Sequence, residues 1–247
     1  MYKRQAILQL DRGKANTINQ TMVNEIRASV KALAVDETVG GLILIGKRHF
    51  FSAGLDLIEI YDYDKVQMLE FLISFSQMHI ELARFPKPLI AAINGHSPAG
   101  GTVIAITADY RIMVEGEKYI IGLNEVAVNI QISQMLVNAY AFWIGKAKAH
   151  QYILDGKLLN TTEALACGLV NELVTEENLL ARAEEKMNHY LSADPDIFKN
   201  SKAKVRKYWL DEIDKYSEAD LEQAQLVWWK PAVRAKMKLF VDKLAKR

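Results

Sequence analysis

The 247-residue sequence holds a single cysteine, Cys167, in the stretch EALACGLV. One thiol excludes an intramolecular disulfide and any cysteine-rich metal site, and it fits a reducing compartment. Its small apolar neighbours read as the setting of a buried hydrophobe. A charge excess is also missing. Thirty-one Lys and Arg face 30 Asp and Glu, a formal net charge of +1, so no global field draws nucleic acid or an anionic membrane, and an anionic ligand must be held locally. No apolar run reaches the roughly 20 residues that cross a bilayer. The opening MYKRQAILQLDRG passes almost directly into a strand-like run, leaving no room for the basic region, apolar stretch and cleavage site of a secretory signal; cytoplasmic residence is the expectation. Repeats, low-complexity segments and linkers are absent too. Half of the residues are hydrophobic, enough to bury a sizeable core.

What is present alternates. AILQL and GGLILIGK read as strands, and between them TMVNEIRASVKALAVDE sets Met22, Val23, Ile26, Val30 and Leu33 near one helix face. A long helix is expected from about Asp64 to Arg84, then a buried strand in KPLIAAING, closed by Asn-Gly. AGGTVIAITA reads as a helix entered through glycines, and YRIMVEG and KYIIG as further strands. Strand and helix in alternation predict crossover connections, a largely parallel sheet and the α/β class. From about Lys146 helices take over, in GKAKAHQYILDG, TTEALACGL and TEENLLARAEEKMNHYLSA. Residues 1–195 read as the core and residues 196–247 as a helical region, in which 13 Lys and Arg outnumber 8 Asp and Glu. Pro231 suits the first turn of the last helix. That tail reads either as solvated amphipathic helix or as a basic edge facing phosphates or a neighbouring subunit.

Two stretches share one grammar of buried strand, small-residue turn and helix: LILIGKRHFFSAGLDL and LIAAINGHSPAGGTVIAI. Glycine permits close backbone approach, and a helix start offers unpaired N–H groups with partial positive charge. If both turns meet, they aim two donors at one oxygen, which is the geometry of an oxyanion hole. Neither turn carries the Gly-x-Gly-x-x-Gly spacing of a dinucleotide site or the Gly-Lys-Ser/Thr ending of a P-loop. His49, His79, His96, His150 and His189 are scattered, without metal-ligand spacing. His96 and Ser97 are adjacent, but a Ser/His hydrolase would need geometry that neighbours rarely reach, and no G-x-S-x-G elbow is present. There remains Glu125, after the aliphatics of YIIGLNEVAV. A glutamate there lies either on a loop surface or partly desolvated, and desolvation would raise its pKa and make it a stronger base.

Taken together these stretches resemble the crotonase superfamily, also called the enoyl-CoA hydratase/isomerase family, over nearly the whole chain. The matching signatures are KANTIN, FFSAGLDL, KPLIAAINGHSPAGGTVIAITADYRI and EALACGLVNELV. The resemblance implies a crotonase-like α/β spiral of strand-strand-helix units, with C-terminal helices that pack into homotrimers or dimers of trimers. It implies an acyl-CoA thioester as partner, with coenzyme A entering as part of the substrate, and no separate cofactor, metal, nucleic acid or membrane. By the same resemblance the amides of Leu55 and Gly100 would hold the thioester oxygen, and Asp56 would cap the first turn. Lys14, Ala15 and Ala53 would contact the coenzyme's adenine end, Gly54, Leu57 and Gly101 would complete the substrate-binding turns, and the basic terminal helix could reach its phosphates.

Hydratases of this family hold a water between two glutamates, and the first of those positions is Val103 here. A single base, Glu125, is enough to take a proton from C2 of a 3-enoyl thioester and return it to C4, and YIIGLNE resembles the isomerases of the family. Hydration, decarboxylation or thioester hydrolysis through the same enolate, and non-catalytic acyl-CoA binding, are the alternatives. After Glu125 the chain reads VAVNIQISQMLVNAY, which lacks the family's usual Gly and Pro pattern. That departure bears on the shape of the acyl pocket and on where Glu125 points.

Overall fold

A computed structural model describes residues 4–47, 49–215 and 218–246. Met1 to Lys3 of the opening stretch and Arg48 in the first turn motif therefore lie outside the described residues. In chain order the elements are β1 (Gln5–Gln9), α1 (Gln20–Val35), β2 (Gly41–Ile45), α2 (Leu57–Tyr61), α3 (Lys65–Ala83), β3 (Leu89–Ile93), β4 (Ser97–Pro98) and α4 (Gly100–Ala105). There follow β5 (Tyr110–Val114), β6 (Ile120–Gly122), α5 (Gln134–Ile144), α6 (Lys146–Asp155), β7 (Leu159–Asn160), α7 (Thr161–Cys167), β8 (Glu172–Val174) and α8 (Leu179–Leu191). Four helices close the chain: α9 (Pro195–Val205), α10 (Lys207–Asp214), α11 (Glu218–Trp228) and α12 (Pro231–Leu244).

The main sheet is parallel and runs β1-β2-β3-β5-β8. Each new strand joins the same edge, so the sheet has no switch point of the doubly wound kind. Its inner strands are buried on both faces, which is why GLILI and LIAAI are unbroken apolar runs. A second layer grows in step with the first. Phe50 bridges His96 in parallel, β4 pairs β6 in parallel, and β6 pairs β7 antiparallel. Strand, short second-layer segment and helix thus recur as β2–Phe50–α2 and β3–β4–α4, the strand-strand-helix spiral expected of the family.

Local chemistry fixes where the helices begin. The Asn19 side chain caps α1, and Asp64 and Asn160 form capping boxes with Gln67 and Glu163 at the starts of α3 and α7. On α1 the residues Met22, Val23, Ile26 and Val30 are buried as the periodicity predicts, and Pro231 opens α12. Three expectations need correction. Strands do not stop at Lys146: β7 and β8 lie among the later helices, and β8 falls inside VNELV, too short to show a period. Cys167 is half-buried, its Sγ near the Ala164 carbonyl at 3.4 Å, because it sits at the last turn of α7 and not on its inner face. The tail is not simply solvated. Lys202 and Arg206 are buried, and Trp209, Ile213, Trp228, Met237 and Val241 pack into the main hydrophobic core.

Candidate active site

The first turn is built on a loop clamped from below. Asn16, held at φ +50°, donates from Nδ2 to the carbonyls of Phe50 (3.0 Å) and Phe51 (3.2 Å), and Ser52 Oγ donates to the Asn16 carbonyl at 2.7 Å. Ile18 then pairs with Leu55 in parallel fashion, its N–H donating to the Gly54 carbonyl at 2.8 Å and its carbonyl accepting from the Asp56 N–H at 2.9 Å. In such a pair the intervening residue turns its own N–H to the opposite side. The Leu55 N–H therefore faces away from Ile18, and it donates to no group among the described residues.

Asp56 sits where the opening of α2 needs a cap, accepting from the Glu59 N–H at 3.1 Å. Arg12 locks it in place, donating to Asp56 at 2.6 Å and to Glu59 at 2.7 Å. Burial alone would push the Asp56 carboxyl up. The hydrogen bonds from Arg12, the Glu59 N–H and Thr17 outweigh burial and hold its pKa below the usual aspartate value.

The second turn meets the first. Gly54 has φ +90°, and a Cβ there would lie 3.1 Å from the Gly100 nitrogen and 3.3 Å from the Pro98 carbonyl oxygen. A Cβ on Gly101 would strike the Ser52 carbonyl oxygen at 2.4 Å, so the glycine pair is what lets the two backbones touch. Ala99, just before α4, is held at φ +47°, a region that disfavours side chains and costs on the order of 1–3 kcal/mol. This strained residue delivers the Gly100 N–H at the helix start, where no intrahelical partner exists; like that of Leu55, it donates to nothing among the described residues.

Leu55, Gly100 and Glu125 line one cavity of about 420 Å³. Ala53, Leu57 and Val103 line it as well, and its remaining wall is largely aliphatic and aromatic. Glu125 follows β6 and Gly122 and opens the short 3₁₀ turn Val126–Val128. The residue is 8% exposed, and among the described residues its Oε2 is buried without a hydrogen-bond partner. Burial raises its pKa to about 7, opposed by its own backbone N–H. Of the two readings left open for Glu125, the desolvated one is correct.

The profile of the family described as enoyl-CoA hydratase/isomerase matches residues 3–246. The chain belongs to the enoyl-CoA hydratase/isomerase family. Enoyl-CoA delta isomerase 1, mitochondrial, of Rattus norvegicus is 31% identical over 243 residues, covering 98% of this chain and 84% of the rat protein. A probable enoyl-CoA hydratase of Rhizobium meliloti (strain 1021) is 34% identical over 187 residues, covering 73% of this chain and 69% of its own length. The crystal structure of human mitochondrial delta3-delta2-enoyl-CoA isomerase superposes with a TM-score of 0.95 at 26% identity, covering 99% of this chain and 95% of that one.

Within this family fold, the remaining expected residues fall around the two turns. The Ala15 carbonyl accepts from the Ala53 N–H at 2.9 Å, while Lys14 is exposed and outside the cavity lining. The segment that departs from the family pattern forms one cavity wall, through Val128, Ile130, Gln131, Ser133, Met135 and Leu136. Leu221, Ala224 and Phe240 close another side from α11 and α12 of the same chain. Those three, and Arg12, escaped the sequence reading, because nothing local in a helix or loop says which distant turn it will cover. Asn124, beside Glu125 and also lining the cavity, was within reach of it. Among the described residues no group of three or more His, Cys, Asp or Glu is arranged to hold a metal, and no helix is long and apolar enough to cross a membrane. His79 is fully buried with Nδ1 3.1 Å from the Val103 carbonyl, and burial lowers its pKa to about 4, so it is neutral.

Proposed function

We propose that this protein is an enoyl-CoA isomerase that shifts the double bond of 3-enoyl-CoA to 2-trans-enoyl-CoA. The amides of Leu55 and Gly100 bind the thioester oxygen, and Glu125 removes a proton from C2 and returns it to C4. Charge that develops on the oxygen as the proton leaves is held by two N–H donors already aimed and free of other partners, with no reorganisation required. The observation that carries the reading is the composition of the cavity wall. It joins two unengaged amides to one desolvated carboxylate with a pKa near 7, suited to a base at neutral pH. Val103 lines the same wall and cannot orient water, which disfavours hydration. The similarity to rat and human isomerases over nearly the full chain supports the same choice.

Coenzyme A enters as part of the substrate in this reading, and Lys14, Ala15, Ala53, Gly54, Leu57 and Gly101 flank its entry. Cytoplasmic residence, and assembly into homotrimers or dimers of trimers, belong to the same proposal; light scattering coupled to gel filtration measures the assembly. The decisive assay incubates a panel of 2- and 3-enoyl-CoAs in deuterated solvent and follows them by mass spectrometry. Isomerisation of 3-enoyl-CoA with deuterium at C2 or C4 is the expected result. Water addition to 2-enoyl-CoA without isomerisation would replace this reading with the hydratase, and binding without exchange would replace it with a non-catalytic acyl-CoA binder.

A further inference from the structure

The two halves of the site stand on different parts of the chain, and one hydroxyl joins them. Thr102, in the first turn of α4 two residues after Gly100, is fully buried. Its Oγ1 donates to the Ser97 carbonyl at 2.6 Å, lies 3.2 Å from the Gly122 carbonyl and accepts from the Gly122 N–H at 2.8 Å. The Gly122 carbonyl also accepts from the N–H of Ala99, the strained residue that delivers Gly100, at 2.8 Å. Gly122 is thus held from α4 and from the turn that precedes it. It is also the last residue of β6, at φ +142°, where a Cβ would lie 2.8 Å from the Lys157 carbonyl oxygen. Three residues further on stands Glu125. β4 and β6 pair only through Ser97–Ile121 and Pro98–Gly122, so little other main-chain bonding fixes their relative setting at this point.

We infer that Thr102 is a positioning residue, whose hydroxyl sets the distance between the Gly100 amide and the Glu125 carboxylate by tying α4 to the Gly122 peptide. This inference rests on the isomerase reading. A hydroxyl can give one hydrogen and accept at two lone pairs. Here it fills both roles toward two segments that carry opposite ends of the chemistry, which valine at the same volume cannot do. Misplacement of reacting groups by about 1 Å costs on the order of 10²-fold in rate.

The test compares wild type with Thr102→Val and Thr102→Ser on 3-enoyl-CoA, with Thr102→Cys in place of valine should that variant fail to fold. Thr102→Val is expected to lower kcat on the order of 10²-fold with KM little changed, and Thr102→Ser to restore most of it. A substrate-free readout accompanies the kinetics: ¹³C-labelled glutamate spectra follow Glu125, expected to titrate near 7 in wild type and lower in the valine variant as water enters. A wild type that never isomerises any enoyl-CoA overturns the isomerase reading, and the titration still decides the link to Thr102. Wild-type kcat together with an unmoved Glu125 titration in a folded Thr102→Val protein overturns the positioning role.

Discussion

Asp109 and Glu125 are two carboxylates withdrawn from water and treated in opposite ways. Around Asp109 every oxygen is claimed. Oδ1 accepts from Arg206 at 2.7 Å, while Oδ2 accepts from Lys202 at 2.7 Å and from the Leu89 N–H at 2.8 Å. The two cations are satisfied in turn, Arg206 by the carbonyls of Ala83 and Thr107, Lys202 by that of Lys87. Four segments, from α3, β3, α4 and α9, meet at this one acid. Glu125 has the reverse: among the described residues no cation pairs with it, Oε2 has no partner, and a cavity lies in front. A buried polar group with all partners present fixes structure, whereas one left unpaired at a cavity wall is a candidate for contact with a ligand. On the proposed reading, the difference separates scaffold from chemistry.

Glu125→Gln breaks the comparison on the functional side and carries the largest expected effect. Loss of a positioned general base lowers kcat by on the order of 10²- to 10⁴-fold, while calorimetric affinity for an acyl-CoA stays essentially the same. Unaltered turnover would remove Glu125 from the mechanism. On the structural side, Arg206→Leu takes the partner from Asp109 Oδ1, leaves Lys202 and the Leu89 N–H on Oδ2, and weakens the link between the core and α9. The acceptors left unmet are Asp109 Oδ1 and the carbonyls of Ala83 and Thr107, at about 1–3 kcal/mol each, so a loss of about 3–5 kcal/mol should be read from urea unfolding, and kcat of the folded fraction should not move. A surface-like loss below about 1 kcal/mol would mean that the cluster is solvated.

Much of this contrast could be read from the residues, and the parts that could not share a cause. The inner strands, α1, α3 and both glycine turns announce themselves because period, capping and turn chemistry act over a few neighbours. The meeting of Leu55, Gly100 and Glu125 rests on pairings between residues some 45 and 25 positions apart; the shared grammar of the two turns raised their convergence only as a condition, and the family resemblance alone joined Leu55, Gly100 and Glu125 in one site. Neither Asp109 nor Arg206 stands out, since in the sequence each is one of many charges. β8 was missed because three residues cannot show alternation, and the cover supplied by Leu221 and Phe240 because a helix's own pattern names its buried face but not what that face buries.

The pH dependence sharpens the contrast further. With its pKa raised from 4.5 to about 7, folded Glu125 holds a proton that the unfolded chain has released. Its contribution to stability is therefore fully present below about pH 4.5 and is lost as pH rises through about 7, a change of about 3 kcal/mol. Activity runs the other way, since the proposed base must be ionised: kcat/KM should rise through about pH 7 to a plateau. Thermal unfolding of wild type against Glu125→Gln at pH 5 and pH 8 checks the sign. The variant should gain relative to wild type at the higher pH, and using the same pair at both values cancels any fixed cost of the amide. Equal differences at the two pH values would mean that the carboxyl is hydrated.

The smallest effect belongs to Asp56, a carboxylate between the two extremes, paired with Arg12 yet within reach of solvent. Its tasks separate by substitution. Asp56→Ala removes both the cap on α2 and the Arg12 pair, for a loss of about 1 kcal/mol, or roughly 2–4 °C in Tm. Asp56→Asn keeps an oxygen for the Glu59 N–H and gives up only the charge of the partly buried pair, so it should lose less than Asp56→Ala, which gives up both. Because the folded pKa is depressed, the carboxylate's contribution is present above the ordinary value of 3.8 and fades as pH falls through the lower folded value. The difference between Asp56→Asn and wild type should therefore shrink at pH 3. Should Asn and Ala destabilise equally at pH 7, Arg12 and not the helix cap would be what Asp56 serves, and the first turn would be held by the salt bridge to the loop before α1.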